Sequence, residues 1–259
     1  MSKGKLGLPF EYQKYPEYFD VFNINENTDA KNKVIESLLQ KHKVSTVLDL
    51  TCGTGSQVFF LAKRGYKCVG ADFSPDLLKI ARYKAKKEII AVKFIDGDMR
   101  TLKVGTFDAV ITIFNAVGHL TKLGFEKAMR NINSNLKEGG IYIFDILNLQ
   151  AMTDKVVADL AYHMNEQTND TRVHALQCST VDKNTGLITS YNMCMLQTNA
   201  EKPRQINNKC SLQIYTAKEL QEMLSRNGFE TVVQYGMDGS KFVKDKSISI
   251  LTVARKKQK

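Results

Sequence analysis

The stretch Val47-Leu48-Asp49-Leu50-Thr51-Cys52-Gly53-Thr54-Gly55, followed by Lys67-Cys68-Val69-Gly70-Ala71-Asp72, decides how the rest of the chain is read. Val47, Leu48 and Leu50 form a short apolar strand, and a glycine-containing turn follows at once. Val58 to Ala62 then continues as an apolar helix ending near Gly65, and Lys67 to Ala71 is a second strand. Ligands of open α/β sheets bind outside the carboxyl ends of the strands, and glycines there let a ligand approach the backbone. An acidic residue at the second strand end, Asp72, can accept hydrogen bonds from two ribose hydroxyls. The turn therefore predicts a nucleoside site. It is not a dinucleotide fingerprint, because Gly53-x-Gly55 is followed by Val58 where the third glycine would stand. No GxxxxGK[ST] phosphate cradle occurs either.

Working outward, the same rhythm holds on both sides. Thr28 reads as the N-cap of a helix through Val34, Leu38 and Leu39. Ser74-Pro75 opens a helix through Leu78, Ile80 and Ala81. Ile89 to Ile95, Phe107 to Phe114 and Ile141 to Leu147 read as the third, fourth and fifth strands, with a helix before the fifth that ends at Gly139-Gly140. This alternation predicts a parallel sheet with helices on both faces. After Leu149 the pattern becomes apolar–polar alternation, in Thr171 to Thr180 and Leu187 to Thr198. These flank Asp182-Lys183-Asn184-Thr185-Gly186, a hairpin turn. The capping box Thr216-Ala217-Lys218-Glu219 opens a helix ending at Gly228, and Phe229 to Tyr235 and Ile248 to Ala254 close the sheet.

In this order and spacing the motifs resemble those of class I S-adenosylmethionine (SAM)-dependent methyltransferases. Residues 47–55 resemble the first motif, with Thr51 where many members have glycine. Asp72-Phe73-Ser74 resembles the ribose-binding motif, and Asp96-Gly97-Asp98-Met99-Arg100 the adenine-binding one. Phe107 to Phe114, Leu136 to Gly140, and Tyr215 to Leu220 with Asn227-Gly228-Phe229 resemble the later motifs. The resemblance implies an α/β, Rossmann-like fold: a seven-stranded, mostly parallel sheet with helices on both faces and an antiparallel β insertion after the fifth strand. The expected divisions are 1–44, an N-terminal helical cap; 45–149, the SAM-binding core; 150–212, the insertion, serving as a lid or dimer sheet; and 213–259, completing the core sheet. The implied cofactor residues are Asp49, Thr51, Gly53, Gly55, Asp72, Phe73, Asp98, Met99 and Phe114. Asp49 suits the ammonium end of the donor, Asp98 the exocyclic amine, and Met99 the ring.

Phe114-Asn115-Ala116-Val117-Gly118-His119-Leu120 is similar to the segment of glycine/sarcosine N-methyltransferases that carries Asn and His at this spacing. Gly97 to Leu120 also resembles amino-sugar N,N-dimethyltransferases. The implied acceptor is a small-molecule amine. Asn115 and His119 are its expected binding residues, with His119 also the catalytic base. Among the N-terminal aromatics Tyr12, Tyr15, Tyr18 and Phe19, Tyr15 is taken as a further acceptor contact.

Composition bounds the alternatives. At 259 residues the chain fits one domain with an insertion. No apolar run reaches the ~20 residues that span a bilayer, and Met1 to Glu11 contains no apolar run of the secretory kind. The five cysteines are scattered and form no CxxC, so reduced thiols in a cytoplasmic protein are expected and no metal is proposed. The net charge of +10 is dispersed lysine rather than an arginine/aromatic surface. Nucleic acid is therefore not the favoured partner, although an RNA or protein methyltransferase stays open, as do a non-catalytic SAM-binding regulator and, more distantly, a dehydrogenase. An exposed insertion sheet leaves room for a homodimer.

Overall fold

The computed structural model describes residues 6–12, 14–168 and 170–258. Two 3₁₀ turns, Phe10–Tyr12 and Pro16–Tyr18, lead into a short helix α1 (Phe19–Asn23) and then α2 (Thr28–Lys41). The alternating core follows: β1 (Thr46–Asp49), α3 (Ser56–Ala62), β2 (Lys67–Asp72), α4 (Pro75–Lys87), β3 (Lys93–Asp96), β4 (Phe107–Thr112), α5 (Lys122–Ser134) and β5 (Leu136–Leu147). A short helix α6 (Asp154–Asp159) precedes four strands, β6 (Tyr162–Thr168), β7 (Thr171–Asp182), β8 (Leu187–Thr198) and β9 (Arg204–Gln213). Helix α7 (Ala217–Arg226) and strands β10 (Phe229–Tyr235) and β11 (Ser249–Lys256) complete the chain.

The main sheet has seven strands in the order β10-β11-β5-β4-β1-β2-β3. The pairs β3–β2, β2–β1, β1–β4 and β4–β5 are parallel, and β11 runs antiparallel between β5 and β10. The strands carry apolar side chains on both faces, as strands covered by helices on both sides must. Along β1, Val47 packs with Ile35, Leu39 and Leu61 on one face, while Leu48 packs in the cluster of Phe125, Met129 and Phe144 on the other. Strand order reverses between β1 and β4, so their carboxyl ends open the crevice where a ligand fits. The second sheet, β6-β7-β8-β9, is wholly antiparallel.

Several local expectations are corrected. The insertion has four strands rather than two; β6 and β9 are polar and read poorly in sequence. Helix α5 stops at Ser134, not at Gly139-Gly140. The side chain of Asn135 ends it, donating to Asn131 O and Leu102 O and accepting from Val104 N–H. Strand β3 begins at Lys93 rather than Ile89. Ile89 has φ +55° and is 92% exposed, because Ile89 and Ile90 close the end of α4. Thr28 does not cap α2; its Oγ1 accepts from Asn25 N–H one turn earlier. Helix α2 also packs Ile35, Leu38 and Leu39 into the core, so the segment over the crevice is the shorter stretch before it. No helix among the described residues is long and apolar enough to cross a membrane.

Candidate functional site

A cavity of about 720 Å³ opens at the switch point, within the ~300–1,000 Å³ range typical of small-molecule sites. Its floor is the first turn. Gly53 has φ +52° and Gly55 φ +93°, a region that disfavours other residues. A Cβ on Gly53 would meet the Phe19 ring at 3.0 Å, and one on Gly55 the Phe59 ring at 2.7 Å. Asp49 at the end of β1 is buried and accepts from Thr51 N–H at 2.9 Å. Asp72 at the end of β2 is buried too, and accepts from Gly53 N–H and Ser74 N–H, both at 2.9 Å. Asp72 thereby ties the two loops together. Among the described residues neither carboxylate has a cationic partner. Burial pushes Asp49 up to about 7 and Asp72 up to about 6. Two buried, unpaired carboxylates in one cavity are an electrostatic demand for a ligand bearing positive charge or hydroxyl donors.

Beside them, Phe73, Asp98, Met99, Arg100 and Phe114 line the wall. Asp98 is held by its neighbour: Arg100 Nε donates to it at 2.9 Å, and the guanidinium forms a second contact. That pair keeps Asp98 below the usual carboxylate range. Phe114 and Asn115 adopt successive left-handed conformations, φ +63° and +60°. Such strain costs about 1–3 kcal/mol per residue and persists where the surroundings enforce it. Here Asp145, buried in β5, enforces it: its Oδ1 accepts Phe114 N–H at 2.5 Å and Asn115 N–H at 3.4 Å. The bend throws the chain into the 3₁₀ turn Ala116–His119, which delivers His119 to the cavity. Burial alone drives the imidazole down to about 4, so it is neutral at physiological pH. Its Nδ1 and the Oδ1 of Asn115 are buried without a hydrogen-bond partner.

The roof is the N-terminal segment. Asp20 of α1 accepts from Thr54 Oγ1 at 2.6 Å and pairs with Lys84. Ser74 Oγ donates to Tyr12 O at 2.7 Å. The first turn and the start of α4 are therefore both bolted to the roof. Tyr12 stacks on Phe73, with centroids 6.4 Å apart, and sets its ring edgewise to His119 at 5.2 Å. Further along, Gly7 and Leu8 run beside β9, held by Ser211 N–H to Gly7 O and Asn208 Nδ2 to Leu8 O. Residues 206–209 of β9 form the last wall.

The structure thus gathers Asp49, Thr51, Gly53, Asp72, Phe73, Asp98, Met99, Phe114 and His119 around one cavity. Gly55 shapes the turn from beneath. The Asn115 side chain turns inward behind the wall. Tyr15 does not line the cavity; it packs edgewise on Phe10 and faces the Arg204 guanidinium at 5.5 Å. Tyr12, three residues earlier, takes the expected place because the 3₁₀ turn rotates it inward. Asp20, Asp145 and the β9 wall were not singled out in sequence. A lone aspartate inside Ile143-Phe144-Asp145-Ile146 was the available signal for the second of these.

Residues 47–140 match the methyltransferase domain family. An uncharacterised protein of Methanocaldococcus jannaschii is 26% identical over 95% of this chain and 85% of its own length. The glycine/sarcosine N-methyltransferase of Parasynechococcus marenigrum is 32% identical over 50% of this chain, and this chain spans only 48% of that enzyme. The SAM-bound structure of CalS10, an amino pentose methyltransferase from Micromonospora echinaspora, superposes with a TM-score of 0.71. The match covers 93% of this chain and 96% of that one. At 19% identity that likeness is one of fold.

Proposed function

The chain is a class I SAM-dependent methyltransferase, with its methyltransferase domain at residues 47–140, and from that premise we propose that it methylates an amine nitrogen of a small molecule. The observation that carries this reading is the roofed cavity, in which a neutral His119 and Tyr12 face the space beside Asp49 and Phe114. A roof pinned at Asp20–Thr54 and Ser74–Tyr12 suits a small acceptor better than a nucleic-acid strand. The +10 charge keeps RNA as the rival to exclude.

When bound, SAM supplies a methyl group on a sulfonium whose leaving thioether is neutral, so no general acid is required. Asp49 would hold its ammonium, Asp72 its ribose hydroxyls, and Phe73 and Met99 its base. The protein's part in the transfer is orientation and exclusion of water. His119, a neutral imidazole lining the cavity, holds the acceptor nitrogen through a hydrogen bond, and the methylated nitrogen carries its proton away to solvent.

The test is S-adenosylhomocysteine (SAH) release across small amines, amino acids, amino sugars and tRNA. Repeated turnover on a small amine supports the reading; turnover on tRNA alone overturns it.

The raised carboxylates also give a pH signature. In the free protein Asp49 and Asp72 hold protons up to about 7 and about 6, whereas an ammonium and hydroxyl donors favour the ionised forms. Binding therefore releases protons below about pH 7, and SAH affinity rises with pH through this window, by at most about tenfold per pH unit for each proton released. For folding of the free protein the sign is opposite. These groups favour the fold most below the unfolded aspartate value of about 4, and that contribution is lost as pH rises through about 6 to 7. Calorimetry of SAH in buffers of different ionisation enthalpy reads the released protons; affinity flat from pH 5 to 8 contradicts the assignment.

A further inference from the structure

The amino-terminal edge of the main sheet, at the far end of the strands from the cavity, carries a surface of its own. The parallel pairs β1–β2, β2–β3, β1–β4 and β4–β5 bring their strand starts together there. Antiparallel β11 ends at the same edge, where Lys256 Nζ donates to Leu136 O at 2.9 Å. Lysines far apart in sequence therefore meet in the fold: Lys43 before β1, Lys67 opening β2, Lys86 and Lys87 ending α4, Lys93 opening β3 and Lys257 after β11. Each is exposed, and none has a carboxylate within ion-pair distance among the described residues. Acids nearby are already engaged: Glu88, Asp108 and Glu138 pair with Lys63, Lys137 and Lys256, and Glu230 stands opposite Arg255 in register. His42 registers the resulting field, for burial, Arg255 and Lys41 together hold its imidazole below the ordinary histidine range. Asp49, Asp72 and Asp98 line the cavity at the opposite end, so charge is segregated along the strands.

Ile89 stands within this charge. It follows Lys86 and Lys87, precedes Lys93, is 92% exposed and adopts φ +55°. A β-branched side chain is strained in that region, and asparagine or glycine would end α4 there without the strain. An aliphatic group kept in water against backbone preference points to an apolar partner. Tyr83, 67% exposed one turn earlier, adds an amphipathic ring of the kind that settles at headgroup level. Helix C-termini favour nearby cations, which accounts for Lys86 and Lys87, but Lys67 and Lys93 open strands and Lys257 follows one. A nucleic-acid surface is met best by guanidinium forks and stacking planes. Ammonium groups around a lone aliphatic suit acidic headgroups above hydrocarbon.

We propose that this edge docks the protein on an anionic lipid surface: the lysines meet the acidic headgroups, Ile89 enters among them, and the cavity at the opposite edge stays open to water. The inference goes beyond the methyl-transfer reading and gives the +10 charge a duty remote from the acceptor.

The experiment is co-sedimentation of the full chain with vesicles of phosphatidylcholine alone or mixed with phosphatidylserine, with tRNA as the competing polyanion. Vesicles containing phosphatidylserine are expected to bind about tenfold or more tightly than neutral ones at ~0.1 M salt, and the difference to shrink at ~0.5 M as screening shortens the reach of the lysines. Each lysine near such a surface contributes about fivefold. The variant Lys86→Gln/Lys87→Gln/Lys93→Gln should therefore lower the affinity about a hundredfold while SAH affinity and melting temperature hold. Ile89→Asn should lower it about tenfold without loss of stability, because asparagine suits the positive φ. The chain has no tryptophan, so Ile89→Trp supplies a single reporter. Its emission should shift to the blue on anionic vesicles and stay in place on neutral vesicles and on tRNA. Binding to neither vesicle, equal binding to both, or anionic binding that survives the triple variant overturns the proposal. Tighter binding of tRNA through the same lysines, with no tryptophan shift on vesicles, overturns it too and assigns the edge to nucleic acid.

Discussion

Asp72→Ala is expected to weaken SAH binding by about 100-fold or more while the chain still folds. The carboxylate has two duties. In the free protein it accepts Gly53 N–H and Ser74 N–H, joining the first turn to the start of α4. Under the proposed assignment it also receives the ribose hydroxyls. Each hydrogen bond to a charged group contributes about 1.5–3 kcal/mol, so losing two of them on the ligand side alone gives about 3 kcal/mol. Alanine also strands two buried N–H donors, which loosens the turn the ligand must approach. Asp72→Asn is the sharper variant. Its amide can accept one N–H through oxygen, yet it presents its own N–H₂ towards the other donor, so it too fails, and without a change in size. Calorimetric SAH affinity and melting temperature are the readouts. Affinity within threefold of wild type for both variants, with a normal melting curve, removes Asp72 from the ribose site.

The sequence exposes the strand-end half of this cavity well, because that half is local. Asp49, Gly53 and Asp72 sit at strand ends whose apolar runs are short and unambiguous, and the sheet places successive strand ends side by side. The same locality explains the small misreadings around it. Ile89 and Ile90 resemble the start of a strand, but the end of α4 needs a residue at positive φ there, and the paired strand begins only at Lys93. Gly139-Gly140 resembles a helix stop, but Asn135 had already ended α5 with three side-chain hydrogen bonds.

The cavity wall formed by the N-terminal segment and β9 is assembled from segments about 200 residues apart, and no local pattern announces that. Gly7 and Leu8 meet Ser211 and Asn208 through backbone groups that any sequence carries. That Tyr12 and not Tyr15 lines the cavity has a related reason. Both belong to one aromatic run, and only the 3₁₀ geometry at Phe10–Tyr12 decides which ring turns towards Phe73 and His119 and which packs under the insertion sheet. Asp145 shows a third kind of blindness. Its effect is felt on residues 114 and 115, through a strand pairing that brings Ile111 opposite Ile143 and Thr112 opposite Phe144. Its neighbours in sequence give no hint of that duty.

His119→Ala is expected to lower turnover on the accepted amine by about 10²-fold or more, with SAH affinity nearly unchanged. The ring lines the cavity edgewise to Tyr12 and makes no hydrogen bond to Asp49 or Asp72, so its removal leaves their contacts with the first turn intact. Burial holds its imidazole near 4, and this fixes what the residue does. An imidazole neutral at pH 7 does not repel an approaching amine, and its ring nitrogen can accept a hydrogen bond from it. It is too weak a base in the free protein to strip an ammonium unaided. Its role is to hold a neutral amine in line; the methylated nitrogen keeps its proton until the product reaches solvent. The pH profile of kcat/KM should therefore show no limb near the ordinary histidine value of about 6.5; its acidic limb belongs to the amine and to Asp49. His119→Gln, which retains a hydrogen-bonding group but no titratable one, should recover part of the turnover lost in alanine and keep the same profile. If His119→Ala turns over like wild type, the residue has no part in transfer. If wild type shows a limb near 6.5 that His119→Gln removes, the ring titrates as an ordinary base and the buried, neutral imidazole is the wrong description of the working site.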